Sequence, residues 1–148
     1  MVSSLDFMPT FAEISGATLP DREFDGQSMT TLFETGKMER AKPLLWAFYN
    51  ALNEEVIAMR TDDWKIMCRL KNDTAYLPKI MNVYNGNEAL VKQAELTDFV
   101  LYNMKQDISE ADNAAAKYPK VFEKMKEQLK SEYAGLLEDS FIWKRVTE

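Results

Sequence analysis

Between Trp64 and Leu70 the chain alternates as only an extended strand can use: Trp64, Ile66, Cys68 and Leu70 share one side, and Lys65, Met67 and Arg69 the other. One well-covered face is therefore expected. Short polar turns bracket the neighbouring apolar segments, with Asn50–Glu55 (NALNEE) before one and Thr61–Asp63 (TDD) before the next. This places strands at Leu44–Asn50, Glu55–Arg60 and Trp64–Leu70, with a fourth at Phe99–Met104. Pro119 suits a first helical position, and Phe122, Met125, Leu129, Tyr133 and Leu136 form one stripe opposite Lys124, Lys126, Glu127 and Lys130. The pattern predicts an α+β fold: a small four-stranded antiparallel sheet, simplest as a meander, with a long C-terminal helix packed on one face.

Ahead of the sheet, Leu5, Phe7, Met8, Phe11, Ala12 and Ile14 recur at helical spacing. Ser4 is the expected N-cap, Pro9 falls early enough to be tolerated, and Gly16 stops the helix, which spans 4–15. From Ala17 to Lys42 the chain is a turn-rich connector with Pro20, Gly26, Gly36 and one short apolar piece at Met29–Phe33. Residues 1–42 and 43–148 are accordingly read as two parts. Lys71–Leu96 is an insertion in which NEALVKQAEL fits a short helix. Ser109 followed by Asp112 predicts a helical turn in DISEADNAA.

The first strand breaks the one-face economy. Leu44 to Tyr49 is apolar or aromatic on both sides, whereas the terminal helix covers only one, so self-association through the exposed face is expected. The formal net charge of -6 disfavours a polyanion such as duplex nucleic acid. No apolar run approaches the roughly 20 residues of a membrane helix, and the first residues carry no basic-then-apolar signal pattern. Met1 ahead of Val2 reads as a start codon added to a domain cut from a longer gene. A single cysteine excludes an intrachain disulfide.

Histidine is absent, which excludes a Ser-His-Asp triad, a Cys-His pair and any histidine-ligated metal within the chain. Cys68 shares its strand side with Trp64 and Ile66 and reads as a buried small hydrophobe. Asp62 with Asp63 and Glu54 with Glu55 lie in turns, where carboxylates serve the backbone. Asp107, Glu110 and Asp112 lack the central glycine and terminal glutamate of a calcium loop. Five glycines form no phosphate loop.

Three blocks in order resemble the C-terminal part of the sulfatase family. They are SSLDFMPTFAEISG with Pro20, Asp25 and Gly26; Arg60, Asp62, Asp63, Trp64 and Lys65; and Leu101, Tyr102, Asp107, Glu110, Asn113 and Ala114. Ile108 stands where relatives often carry a proline. The resemblance implies that residues 1–42 belong to the large domain of such an enzyme and 43–148 to its terminal subdomain. It also implies a parent that hydrolyses sulfate esters with formylglycine, made inside a C-x-P-x-R-type motif, beside calcium. That motif is missing here, so no cofactor and no catalytic or metal-ligating residue is assigned to this chain. The implied partners are an upstream catalytic domain and, for the parent, a sulfated small molecule or sugar. Arg60, Trp64 and Lys65 are substrate-rim candidates, with Tyr84 and Asn85, beside Asn87, as a second set. A structural role in the core is the competing reading of the first three. Parents of this kind are commonly exported, which the residues themselves do not show. The alternative is a free-standing interaction or carbohydrate-binding module of the same fold.

Overall fold

The computed structural model describes residues 1–140. Two compact units emerge, Met1–Leu44 and Leu45–Glu148.

In the first unit a 3-10 turn, Ser4–Asp6, runs into helix α1, Phe7–Ser15. The N-cap is Ser3 and not Ser4: its hydroxyl accepts from the Leu5 amide while the Asp6 carboxylate accepts from the Ser3 amide, a reciprocal box that a cap at Ser4 would forfeit. Gly16 ends α1 at φ 70°, a left-handed position suited to glycine. The apolar piece of the connector is a short helix, α2 (Thr30–Thr35), closed by Gly36 at φ 73°.

The second unit carries strands β1 (Leu44–Ala47), β2 (Ile57–Thr61), β3 (Trp64–Asn72) and β4 (Ala75–Tyr76). Helix α3 (Glu88–Lys92), β5 (Glu95–Asn103) and helix α4 (Pro119–Asp139) follow. The antiparallel sheet and long final helix appear as expected, with differences in detail. A fifth, two-residue strand, β4, folds back on the end of β3, pairing Lys71 with Tyr76 and Asn72 with Ala75. β5 begins at Glu95, and it joins β3 rather than continuing a simple meander. Lys71 pairs with both Tyr76 and Glu95, so β4 and β5 hold opposite edges of β3. Two-residue turns at Asp62–Asp63 and Asp73–Thr74 place Asp62 (φ 41°) and Asp73 (φ 49°) in the left-handed region that aspartate tolerates.

Strand pairing fixes the two faces. Met59 opposes Ile66, which opposes Leu101, and all three are fully buried. Beneath them lie Met125, Leu129 and Tyr133 of α4. Each such side chain contributes about 1.5–3 kcal/mol by leaving water. The stripe is narrower than its sequence suggests: Phe122 is half-buried and Leu136 is 38% exposed. The opposite face carries Arg60, Lys65, Arg69 and Lys71. Along β1, Leu45, Ala47 and Tyr49 pack toward the core, whereas Trp46 (45%) and Phe48 (62%) stay exposed.

Candidate functional site

The sequence-derived candidates separate on this scaffold. Arg60 and Lys65 are direct cross-strand partners on the helix-free face. Trp64, one residue along, points to the helix side. It packs against the core cluster and meets the Tyr118 ring edge-on at 4.9 Å. Lys65 donates to both carboxylate oxygens of Glu110 at 2.6 and 2.8 Å, with both side chains mostly shielded. Tyr84 and Asn85 belong to the turn before α3. The Asn87 side chain caps that turn by accepting from the Tyr84 amide at 2.9 Å and donating to the Asn82 carbonyl at 3.0 Å. The insertion is tied to the far end of β3 through Asn72, which donates to the Leu90 carbonyl at 2.9 Å. Lys65 and Asn72 are separated by about 23 Å of strand at roughly 3.3 Å per residue. The two candidate rims therefore sit toward opposite ends of β3 and do not form one cluster.

Most motif residues are engaged in holding the chain together. Asp6 is fully buried and accepts from the Ser3 amide at 2.7 Å, the Gln27 amide at 3.1 Å and the Arg40 guanidinium at 2.7 Å. Burial works against its charge, but the hydrogen bonds from Arg40, Gln27 and Ser3 outweigh it and hold the carboxyl below its ordinary value. Thr10 donates to the Asp6 carbonyl at 2.6 Å and accepts from the Met29 amide at 2.9 Å. Gly26 lies so close that a Cβ there would run into the Leu5 carbonyl.

The third block is equally occupied. Asp107 accepts from the Asp112 amide at 2.9 Å and the Ser109 hydroxyl at 2.8 Å, and these bonds lower its carboxyl pKa. Asn113 accepts from the amides of Leu101, at 3.2 Å, and Ala115, at 3.0 Å. The expected helical turn at Ser109 does not form, because Asp107 takes the Ser109 hydroxyl and Glu110 adopts φ 57°.

Cys68 has no accessible surface, and burial pushes its thiol up to about 12, the reverse of an activated nucleophile. The residues after it are Arg69 and Leu70, not the proline two positions on that a formylglycine motif needs. Among the described residues no three Cys, Asp or Glu side chains gather to hold a metal ion, so the chain offers no fitting ligand set for calcium.

A cavity of about 90 Å³ lies where the end of β1 and the insertion approach the last turns of α4, lined by Tyr49, Val83, Val91, Leu136 and Leu137, among others. Sequence reasoning missed it, and it missed two further features. One is the Glu54–Arg69 ion pair at 2.8 Å with Arg69 stacked 3.5 Å over the Tyr76 ring. The other is the bulge at Asp98 (φ 50°), whose carboxylate accepts from the Tyr76 hydroxyl at 2.7 Å. Only the Asp98 break in an otherwise β-rich run hinted at either.

Against known proteins the chain is similar to sulfatases. Arylsulfatase K of Canis lupus familiaris is 27% identical over 129 residues, 82% of this chain and 23% of that protein. A sulfatase of Formosa agariphila is 28% identical over 128 residues, 80% of this chain and 19% of that protein. The resemblance carried by the three blocks is thus borne out. The chain spans about a fifth of the length of these curated relatives. No family model matches it. Among solved structures, Ps i-CgsB aligns with a TM-score of 0.56 at 21% identity, covering 88% of this chain and 24% of that one. The same fit is found with its complex with k-i-k-neocarrahexaose. The Bacteroides thetaiotaomicron protein BT33336S-sulf, described in the context of glycosaminoglycan metabolism, aligns at 0.52 and 21% identity, over 85% of this chain and 24% of that one. These structural likenesses establish the fold.

Proposed function

We propose that this chain is the C-terminal part of a sulfatase, a non-catalytic piece that buttresses a larger sulfuric ester hydrolase. The observation that carries the proposal is the orientation of α1. Its buried residues are Pro9 and Thr10, while Phe7, Met8, Phe11 and Ile14 are each about half or more exposed, with Phe7 and Phe11 stacked at 6.0 Å. An amphipathic helix with its apolar side outward lacks the surface it is built to cover. The remaining four-fifths of a sulfatase would supply that surface, consistent with the short span of the relatives that this chain matches.

In that parent, formylglycine and calcium would supply the nucleophile and the charge stabilisation for sulfate-ester cleavage. This chain's part is mechanical. Asp6, Thr10 and Arg40 fix the first unit, and the sheet and α4 fix the second. Arg60, with Lys65 beside it, is the member of the candidate rim free to meet a substrate. A sulfated sugar suits the known relatives, since one neighbour is crystallised with a neocarrahexaose and another is described with glycosaminoglycans.

Two measurements test the reading. The coding frame should continue upstream of Val2 into a C-x-P-x-R-type motif, and its absence would remove the parent enzyme. The purified chain should leave a chromogenic aryl sulfate intact. Turnover by this chain would show that the catalytic groups lie within it after all.

A further inference from the structure

Four arginines lie among the described residues, and three have evident partners. Arg22 sits 5.1 Å over the Phe24 ring, Arg40 is paired with Asp6, and Arg69 with Glu54. Arg60 makes no hydrogen bond or ion pair with any described residue, and its Nε is buried without an acceptor. A buried N–H left unpaired is costly, so its retention calls for an explanation. The outer guanidinium nitrogens, also without partners, are not shut from solvent. Arg60 is therefore held at its root and presents a two-donor edge outward.

Its surroundings add to the demand for an anion. Lys65 lies directly opposite on β3, and like charges in that position repel. Glu110 answers Lys65 with both carboxylate oxygens. Two cations thus share one carboxylate, and the excess positive charge resides on Arg60. A guanidinium edge matches a sulfate or carboxylate through paired N–H donors, which a lysine cannot reproduce.

We propose that Arg60, flanked by Lys65, binds the sulfate group of a sulfated saccharide on the helix-free face of the sheet. The choice of sulfate rests on the sulfatase reading above; the need for an oxyanion does not. The test is a titration of the intact chain with galactose 6-sulfate, with galactose and sodium acetate as controls, followed by amide chemical shifts. Shifts centred on β2 and β3 around Arg60 and Lys65 are expected with the sulfated sugar alone. Arg60→Gln should weaken that binding by about tenfold or more, and Arg60→Lys by less. Because Arg60 supports no contact among the described residues, Arg60→Gln should melt no lower than the parent chain.

Equal shifts from galactose, no shifts at all, or undiminished binding by Arg60→Gln would each overturn the proposal. So would a marked loss of stability in Arg60→Gln, which would make the residue structural; if that variant does not fold, undiminished binding by Arg60→Lys decides against it. Acetate binding as tight as the sulfated sugar would overturn the sulfate assignment. The reading-frame test is independent of all these outcomes, so the failure of one inference does not carry the other with it.

Discussion

A carboxylate with no exposed surface persists only where its charge is answered, and Asp6 is answered by Arg40 and two backbone amides. Arg40→Ala leaves that charge uncompensated and should cost about 3–5 kcal/mol, read as a fall in the urea midpoint of the first unit. The pH dependence follows from the lowered pKa. The unfolded group titrates near 3.8, so the stabilisation is whole above that value and is lost as pH falls through the lower folded value. Urea melts taken downward from neutral pH should show this loss, and Asp6→Asn should be less stable at neutral pH and flatter in acid. Gly26→Ala is a separate steric test. Its methyl meets the backbone of Leu5, which cannot swing aside as a side chain would, and a loss of about 1–3 kcal/mol is expected.

At the level of elements, β5 depends on the loop that follows it. Asn113 reaches back to the Leu101 amide and, with the same oxygen, receives that of Ala115, while the Leu101 carbonyl accepts from the Ala114 amide at 2.7 Å. Asn113→Ala strands two donors and should cost about 1–3 kcal/mol; hydrogen exchange at the Leu101 amide should quicken, and Asn113→Asp, which keeps the acceptor, should restore most of the protection. Elements whose cause is local were legible in sequence. β3 is written in its alternation, and α4 in Pro119 and the Met125–Leu129–Tyr133 spacing. β5 was read four residues short because Glu95, Thr97 and Asp98 look like a turn. They form a strand only because β3 supplies the ladder and a bulge absorbs Asp98. The Asp6–Arg40 pair spans 34 residues and Lys65–Glu110 spans 45, so no window of sequence contains either. Family-like spacing marked five of the six residues in the Asp6, Thr10, Lys65, Glu110, Asn113 and Arg40 set, yet what they do is brace the fold. Arg60 was legible as a candidate, while its missing partner required the packed sheet.

For the whole molecule, apolar surface remains uncovered on each unit. α1 exposes Phe7 (51%), Phe11 (65%) and Ile14 (64%), and β1 exposes Trp46 and Phe48. Burial of a large apolar side chain is worth about 1.5–3 kcal/mol, so two or three at one contact approach micromolar association before the entropic cost of binding. The chain on its own should therefore associate as concentration rises, visible as a growing weight-average mass in sedimentation equilibrium. The two surfaces make different predictions. If β1 drives association, Trp46→Ser with Phe48→Ser yields a monomer and Phe7→Ser with Phe11→Ser does not. If α1 drives it, the outcomes reverse, and extending the chain into its catalytic portion should abolish association without any substitution. A monomer at high concentration would mean that neither exposed surface suffices to hold a second copy, and α1 would then be a face shaped for the parent enzyme alone.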